Sequence, residues 1–472
     1  MGVRRIGFEF EYPIVVPKGQ AITRRDARAF WEGAESALPG WTPIRQQQTD
    51  ATIGLARTRG GFAEHISNDT GVCTVEFALK PEETIPRAVD LANRAIRRVS
   101  DMAAGLDLRL LCMGLQPITW ADAQRKTAKD AYRSFAARMP YHTWSVPMAS
   151  HQCSVDVAPS AAISVVNSLN ALSGLIIALT SSSPIAKGAC QEWHEFRTWI
   201  SDERSRRLRP TDRHYYSNGL PPRPFADWND YVDWFWASTM YFVKDDSGTI
   251  SIVAGRRSFR QFVSSPAPAA VWSPRRPVRY VEPALAHVNE VHGYGWLASR
   301  LRYTLPRQTT MDEIRAAVTA GQIGDFMASR IDRCYVEFRA SGVSEQGTEG
   351  SVGALVLGLV EQHEAAEHLR RERAWEAWRQ LRIDGSVQGI RCVRPGGEHH
   401  RLATRMIDIA GAGLRQRGFG EERLLEPLLR RIESGVGYSD RIRTWFQAGG
   451  VRRVIDETAW RADALRLAGM AG

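Results

Sequence analysis

Four short segments of this chain alternate polar or charged residues with apolar ones, with a period of two. They are residues 7–12, 72–77, 153–157 and 335–339. Successive side chains of a strand point to opposite faces, so this alternation predicts strands with one apolar face and one polar face. The polar positions carry carboxylates, which are costly inside a strand unless something pairs with them. Together the four segments predict one sheet with a packed back and an acidic front.

The rest of the pattern predicts further strands and many helices. Strands are expected over residues 1–16 and 108–113, and residues 44–66 have the composition of a loop or a hairpin. Helical periodicity covers residues 24–38, 85–106, 160–180, 354–378, 401–417, 421–434, 440–446 and 451–465. The predicted fold class is α+β, with a mainly antiparallel sheet. We expect residues 1–350 to form the sheet core with inserted helices, and residues 351–472 to form a helical part packed on it as one compact unit.

Composition narrows the classes of protein that remain. The chain has 472 residues, of which 43% are hydrophobic, enough for a large buried core. Its net charge of +10 favours anionic partners such as nucleotides and carboxylates. Arginine clusters at residues 204–209 and 275–279 lack the interleaved aromatic residues of a nucleic-acid platform, so solvated loops are the better interpretation. No G-x-x-x-x-G-K-[ST] motif occurs, so a P-loop would not hold a nucleotide here.

The cysteines and the first residues indicate the cellular compartment of the protein. The six cysteines are widely spaced without a C-x-x-C pair, which is typical of buried thiols in a reducing compartment. The chain runs straight into its first strand, leaving no room for a secretory signal. The longest apolar run, residues 172–179, is too short to cross about 30 Å of bilayer. We therefore expect a cytoplasmic protein that binds neither a membrane nor nucleic acid.

The carboxylates of the predicted acidic face point to a metal site. Residues 68–71 have a turn signature, so Asp69 can curl back toward the face of Glu76 at the entry of the second strand. The carboxylates that then converge are Glu9, Glu11, Asp69, Glu76, Asp156 and Glu337. Mutual repulsion on that scale requires cations, and an all-oxygen set suits magnesium or manganese rather than zinc.

Arginines complete the chemistry. Arg339 shares a strand face with Glu337, and both it and Arg197 could clamp phosphate or carboxylate through the guanidinium fork. Carboxylates that hold magnesium, together with arginines, are typical of phosphoryl transfer.

Each feature also has a plainer interpretation. A single acidic strand is more often a solvated sheet face, Arg197 could be an ordinary helix-surface arginine, and the parity of His151 favours a core or strand-end histidine.

Several segments, taken in order, resemble the carboxylate–amine ligases that share the glutamine-synthetase type of sheet. Within that group the similarity is to glutamate–cysteine ligases of the plant and proteobacterial type. The opening Gly7-Phe8-Glu9-Phe10-Glu11 resembles their G-x-E-x-E motif. Further resemblances lie at residues 113–117 (G-x-Q-P), 138–140 (M-P), 181–184 (N-S-P), 230–242 (D-Y-V-D…M-Y-F), 258–262 (F-R-x-F), 335–339 (Y-x-E-x-R), 413–414 and 421–428.

The resemblance implies a curved sheet and ATP-dependent formation of an amide. The side-chain carboxylate of glutamate would be phosphorylated to an acyl phosphate, which an amine would attack, with cysteine as the default acceptor. It implies that two or three Mg²⁺ ions, or Mn²⁺, are bound by Glu9, Glu11, Asp69, Glu76 and Glu337. It implies that substrate or ATP is bound by Arg197, Arg260, Arg339, His151 and Ser183. The residues expected to act in catalysis are Glu11, Arg339, Arg197 and Asp156, with Glu11 or Asp156 accepting the proton of the amine.

One stretch departs from the family pattern. Where the family has T-V-Q-V-N, this chain has residues 154–158, in which Asp156 replaces an amide or histidine and Ala158 carries no polar group. This departure keeps a second hypothesis open, a specialised ligase that joins glutamate or a related acid to another amine, on a peptide or carrier protein for example. A third hypothesis is a non-catalytic basic binding protein on a ligase scaffold, whose arginine clusters bind an acidic partner. The sequence leaves the oligomeric state open.

Overall fold

A computed structural model describes most of the chain. The described residues are 2–46, 50–129, 132, 136, 140–207, 218–240, 242–244, 250–253, 255, 257–265, 269–273, 276–291 and 295–462. The arginine clusters at residues 204–209 and 275–279 lie largely outside the residues whose side chains are described.

The strands of the described residues fall into one large sheet and three small ones. In chain order they are β1 (Ile6–Val15), β2 (Thr42–Arg45), β3 (Thr52–Arg59), β4 (Phe62–Asn68), β5 (Thr74–Ala78), β6 (Arg109–Leu110), β7 (His151–Asp156), β8 (Ile185–Ala186), β9 (Ala189–Cys190), β10 (Asn218–Gly219), β11 (Phe242–Lys244), β12 (Ile250–Val253), β13 (Ala269–Ser273), β14 (Arg276–Val281), β15 (Trp296–Leu297), β16 (Ser299–Thr304) and β17 (Arg333–Phe338). The large sheet has the order β16-β17-β7-β1-β5-β4-β3-β2, with β6 paired to β1. Its strands pair antiparallel throughout, which confirms the predicted fold class.

Fifteen α-helices surround the large sheet in the described part of the chain. They are α1 (Arg24–Ala37), α2 (Ile85–Gly105), α3 (Pro159–Thr180), α4 (Phe196–Arg206), α5 (Trp228–Trp236), α6 (Phe259–Ser264), α7 (Leu285–Glu290), α8 (Met311–Thr319), α9 (Ile323–Arg330), α10 (Gly350–Glu361), α11 (His363–Arg371), α12 (Trp375–Gln388), α13 (Glu398–Arg417), α14 (Glu426–Ser434) and α15 (Tyr438–Thr458). A capping box formed by Thr23 and Asp26 opens α1.

The back of the sheet is apolar and covered by helices. Phe8, Phe10 and Tyr12 of β1 are buried there, while the side chains between them point to the front. Helix α10 lies against this face so closely that a Cβ at Gly353 would come within 2.4 Å of the Phe8 ring. Alternation in the strands therefore separates a packed back from a polar front, as the sequence predicts.

Helix α3 is the central helix of this core. By length and composition alone it could cross a membrane, but 89% of its apolar window is buried inside the protein. The buried stretch is longer than the apolar run over residues 172–179 from which the sequence analysis excluded a membrane span. The polar residues that interrupt the apolar sequence are themselves buried, so burial continues along the whole helix. It is best explained as a core helix, since its apolar residues are already covered by protein.

Several predicted boundaries differ from the observed ones. The segment 44–66 forms the hairpin β3–β4 together with β2, whereas the strand expected over 108–113 is reduced to the two residues of β6. The helix expected over 354–378 is divided among α10, α11 and α12. The two helices expected after residue 440 are joined as α15 across a kink at Gly449 and Gly450, where φ of Gly450 is +62°. The division into a sheet core and a helical part stays a prediction.

Candidate active site

Three carboxylates meet on the front of the large sheet. Glu11 of β1 lies directly opposite Glu76 of β5, and Glu9 follows two residues before Glu11 on the same face. One oxygen from each of Glu9, Glu11 and Glu76 lies within 4.8 Å of the others. We call these three residues the acidic cluster. Its oxygens are spaced as the ligands of a shared cation would be, and carboxylate oxygens suit magnesium or manganese.

The electrostatics of the acidic cluster favour the binding of a cation. Burial, then repulsion from Glu76 and Glu11, raises the pKa of Glu9 well above its usual value. Burial and the neighbouring Asp69 and Glu76 raise the pKa of Glu11 in the same way. Burial opposes ionisation of Glu76 too, but a hydrogen bond from His65 brings the pKa of Glu76 below its usual value. A divalent cation would relieve the repulsion among all three.

Neighbouring side chains hold two members of the acidic cluster in place. Glu11 Oε2 accepts from the backbone N–H of Ser150 at 2.7 Å, and Glu11 Oε1 accepts from Gln152 Nε2 at 2.9 Å. His65 Nε2 lies 2.8 Å from Glu76 Oε1. Gln152 and His65 were not predicted from the sequence. Both occupy front-facing positions of strands next to β1 and β5, so the alternation of their own strands is the signal that could have found them.

Asp69 lies beside the acidic cluster, in the turn predicted for it. Its backbone N–H donates to the carbonyl of Thr74, and its Oδ1 accepts from the hydroxyl of Tyr132 at 3.0 Å. Burial and repulsion from Glu76 raise its pKa. The turn therefore brings Asp69 next to the three carboxylates, as the hypothesis required, although it is not one of the three whose oxygens converge.

Glu337 is differently surrounded from what the sequence led us to expect. Arg300 of β16 donates to both of its oxygens, at 2.8 Å and 3.2 Å, and Arg339 also pairs with it. Arg302 Nε lies 3.8 Å from Glu337 Oε2. Although burial opposes ionisation, these arginines hold the pKa of Glu337 well below its usual range. The carboxylate is thus paired with side chains and is not one of the three whose oxygens converge, although it is close enough to Glu9 to raise the pKa of that residue.

A cleft of about 900 Å³, its open mouth included, lies over the acidic cluster. Glu9, Glu11 and Asp69 line one part of it. Another part is lined by three arginines, namely Arg197, Arg339 and Arg382. We call this the first cleft. A cavity with carboxylates in one part and arginines in another suits a substrate that carries metal-binding and anionic groups at separate positions.

Arg197 is held in the first cleft by buried partners. Its Nε donates to Glu195 at 3.0 Å, and Nη2 donates to the carbonyl of Ser341 at 2.7 Å. Ser183, expected to bind substrate, is fully buried, and its hydroxyl instead accepts from the backbone N–H of Arg197. Ser183 therefore positions the arginine and does not line the cleft.

A second cleft of about 1830 Å³, its mouth included, lies on the other side of Glu9. Front-facing residues of β16, β17 and β7 line it, among them Arg302, Tyr335 and Asp156. Glu9 lines both clefts. Asp156 accepts from the backbone N–H of Arg5 at 3.2 Å, far along β7 from Gln152. Asp156 thus lies on the predicted front face, but it is four residues from Gln152 along β7 and does not line the first cleft.

Two further residues expected at the site lie elsewhere. His151 points to the apolar back of the sheet, where its ring contacts Phe10 and Tyr12 and its Nδ1 accepts from the backbone of Ser344. Burial and nearby Arg197 lower its pKa to about 3. Arg260 is on α6 and pairs with Asp233 without lining either cleft. His151 lies on the apolar face because of its place in the alternation of β7. Arg260 lies away from the site because its motif is on a helix outside the sheet.

The chain matches a known protein family over nearly its whole length. Residues 5–457 match glutamate–cysteine ligase family 2 (GCS2). The chain belongs to this family. It is therefore an enzyme, an ATP-dependent carboxylate–amine ligase. The match covers nearly the full chain, so the sheet, both clefts and the helical part all fall within it.

Solved structures support the fold. The chain is similar to glutamate–cysteine ligase from Francisella tularensis in complex with AMP, with a TM-score of 0.51, 12% identity, and coverage of 96% of this chain and 87% of that one. It is also similar to a bifunctional glutathione synthetase from Pasteurella multocida, with a TM-score of 0.50 and 11% identity. That match covers 98% of this chain and 52% of the longer one. Among curated proteins no match was found. The GCS2 member thus has a glutamate–cysteine ligase fold.

Proposed function

We propose that this GCS2 member uses ATP to phosphorylate the side-chain carboxylate of glutamate or a related acid, and then transfers the acyl group to an amine. The single observation that carries the proposal is the position of the acidic cluster at the boundary of two clefts. A ligase of this kind must bind its nucleotide next to the acid that it phosphorylates. Because Glu9 lines both clefts, ligands bound in the two clefts would meet at the acidic cluster. The AMP bound by the Francisella tularensis enzyme agrees with nucleotide use in this fold.

Divalent cations fit the acidic cluster. Three converging carboxylate oxygens, two of them on residues with raised pKa values, are a donor set for Mg²⁺ or Mn²⁺. Glu9, Glu11 and Glu76 would hold the metal, with Asp69 close enough to take part. Bound metal would neutralise the charge of the transferred phosphoryl group. Glu337 is left out of this set because arginines already satisfy it.

The second cleft is the better place for the nucleotide. It is larger than the first, and Arg5, Arg302 and the ring of Tyr335 offer it positive charge and an aromatic surface. Gly7 leaves the sheet face without a side chain at this point. A nucleotide bound here would have its phosphates directed toward Glu9. The first cleft would then take the donor acid and the amine, with Arg197 and Arg339 facing the anionic groups.

The placement of the clefts narrows the choice of proton acceptor. Glu11 and Asp156 were the two candidates for taking the proton of the amine. Only Glu11 lines the first cleft, whereas Asp156 lines the second. The family departure at Asp156 and Ala158 therefore bears on the nucleotide side of the sheet more than on the acceptor amine. Cysteine is retained as the default acceptor by family membership.

A specialised ligase with a larger amine is a second candidate, and one feature favours it. Stacked aromatic rings neighbour residues of the first cleft in sequence: Phe196 and Trp199 have centroids 4.9 Å apart, and Trp199 and Trp144 have centroids 6.3 Å apart. Ser145 and Thr198, next in sequence to these tryptophans, line the cleft. A half-buried aromatic wall suits an apolar or peptide-borne acceptor. The non-catalytic alternative is disfavoured, because family membership makes the chain a ligase.

The test is magnesium-dependent release of ADP from ATP and glutamate, first with cysteine and then with a panel of free and peptide amines, with products identified by mass spectrometry. A γ-glutamyl amide together with ADP would establish the proposal, and the mass would identify the acceptor. Glutamate labelled with ¹⁸O in its side-chain carboxylate should transfer one label to phosphate if the acyl phosphate forms. Absence of ADP and of label transfer with every acid and amine would overturn it. The cytoplasmic location remains a prediction.

A further inference from the structure

Residues 340–349 connect β17 to α10 and lie beside Arg197, and we call them the strap. Arg197 Nη2 donates to the carbonyl oxygens of Ala340 and Ser341, at 3.4 Å and 2.7 Å. Ala340 and Arg197 both line the first cleft. A movement of the first residues of the strap would therefore change the position of an arginine in the candidate active site.

Contacts with other elements hold the middle of the strap in place. The backbone N–H of Val343 donates to Ser182 Oγ at 2.8 Å, and the backbone N–H of Ser344 donates to His151 Nδ1 at 3.1 Å. Both strap residues are buried. The strap therefore opens only when buried hydrogen bonds break together, so its opening depends on the groups that face it.

Glu349, the last residue of the strap, is a buried carboxyl without an ion-pair partner. Only 2% of its surface is exposed. Both of its oxygens accept from the backbone N–H of Gly347, at 3.0 Å and 2.9 Å, and no ion pair of the described residues includes it. Arg431 and Arg441 pair instead with Glu345. Ionisation of Glu349 in this position is unfavourable, because a buried charge is costly unless a partner compensates it.

The other groups that face Glu349 do not supply a positive charge. Burial raises the pKa values of Tyr12 on β1 and of Cys112, and the charge of Glu349 raises both further. The hydroxyl of Tyr438, on α15, donates to the backbone carbonyl of Cys112. Helix α10, which begins directly after the strap, has no basic residue. Burial, with repulsion from Glu345, raises the pKa of Glu349 to about 7.

We propose that the strap positions Arg197 in a proton-dependent way: it stays closed while Glu349 carries its proton and opens more readily once this carboxyl ionises. The proton passes to solvent, and the carboxylate becomes hydrated when the strap opens. Opening withdraws the carbonyls of Ala340 and Ser341 from Arg197, which then keeps Glu195 as its acceptor. The inference goes beyond the proposed reaction, because it applies whichever acid and amine the site uses.

His151 acts on the strap in the opposite direction. Its Nδ1 accepts from the N–H of Ser344 only while that nitrogen carries no proton. Burial and the nearby Arg197 lower the pKa of His151 from 6.5 to about 3, so opening exposes a histidine that binds a proton below pH 6.5. Glu349 favours opening in the other sense, as the pH rises from 4.5 to about 7. Wild type and a Glu349 variant must therefore be compared at the same pH.

Hydrogen exchange of the strap amides, followed by mass spectrometry at pH 5.5, 6.5 and 7.5, tests the role of Glu349. After correction for intrinsic exchange rates, the opening constant of wild type relative to Glu349→Gln should rise about 20-fold over this range, as linkage requires for a carboxyl whose pKa differs between 4.5 and about 7. The contribution of His151 cancels, because both proteins contain it. Glu364→Gln, which removes an exposed carboxyl on α11, is the control and should behave as wild type.

A ratio of wild type to Glu349→Gln that changes by less than threefold would overturn the proposal. If Glu349→Gln does not fold, His151→Asn decides, since it keeps Glu349 and removes the opposing histidine. Its strap should then open about 20-fold more readily at pH 7.5 than at pH 5.5, and a flat profile would contradict the role of Glu349.

The link to Arg197 is measured in the same experiment. Peptides that cover residues 195–199 should show the same pH-dependent ratio as the strap, because Arg197 is held by the strap carbonyls. A strap that responds to pH while residues 195–199 do not would contradict the link. No substrate is needed, so these results are independent of whether ADP is formed.

Discussion

Two carboxylate sites on the same sheet face have opposite surroundings. In the acidic cluster, Glu9, Glu11 and Glu76 face one another with raised pKa values at two of the three. Two strands away, Glu337 is surrounded by arginines and its pKa is held low. Both sites arise from the same alternation of acid and apolar residues. Alternation therefore sets which face of the sheet a carboxylate occupies, and the neighbouring strand sets whether that carboxylate is available to a metal.

The largest effect should come from removing a member of the acidic cluster. Glu9→Gln and Glu76→Gln keep the side-chain volume but remove a charged oxygen donor. Each should lower magnesium-dependent ADP formation by more than about 100-fold, the upper end of the loss caused by removing an outer partner of a metal ligand. Steady-state ADP release measures this, with the exposed Glu32→Gln on α1 as control. Activity within threefold of wild type in either cluster variant would contradict the site.

Glu337→Gln should chiefly destabilise the fold. It leaves Arg300, Arg302 and Arg339 without their shared carboxylate in a buried position. The free energy of unfolding should fall by about 3–5 kcal/mol, the cost of breaking a buried ion pair from one side. Urea denaturation measures it, and adding Arg300→Met should recover part of the loss. A change below about 1 kcal/mol would show that the arginines do not depend on Glu337.

His151 is buried on the apolar face of the sheet, and we expect it to make the free energy of unfolding depend on pH. Its pKa of about 3 in the folded protein lies below the ordinary value near 6.5, so the unfolded chain binds one more proton between these values. Stability due to neutral His151 is therefore present above pH 6.5 and is lost as the pH falls toward 3. Wild type should lose about 1.4 kcal/mol more per pH unit than His151→Asn in this range. Urea denaturation at pH 6, 5 and 4 measures the difference, and parallel curves would contradict it.

The smallest effect should come from the neighbour of the acidic cluster. His65→Leu removes the hydrogen bond to Glu76 but no metal ligand. The Mn²⁺ concentration that gives half-maximal ADP formation should rise about tenfold, while the rate at saturating metal changes little. An unchanged metal requirement would mean that His65 does not orient Glu76.

The sequence predicted the front face of the sheet well, because strand alternation is a local property. Glu9, Glu11 and Glu76 were found in this way, and the turn before β5 correctly placed Asp69 beside them. His151 belongs to the opposite parity and was wrong as a substrate-binding residue. Its strand neighbours Cys153 and Val155 already carried that signal.

What the sequence could not provide was the identity of neighbours in space. Arg300 and Arg302 alternate with apolar residues in β16, so a basic face was readable there, but its pairing with Glu337 depends on strand order. Arg382 had no local signal, because a crossing of two helices at Gly174 brings it to the cleft. Long-range register and helix crossings follow from the whole core, and no single segment encodes them.

The most direct test of the account is a count of bound Mn²⁺ by electron paramagnetic resonance in wild type, Glu9→Gln and Glu337→Gln. We expect Glu9→Gln to weaken Mn²⁺ binding at least tenfold, whereas folded Glu337→Gln should bind Mn²⁺ as wild type does. Equal loss in both variants would contradict the account, since Glu337 would then leave its arginines and join Glu9 on the metal.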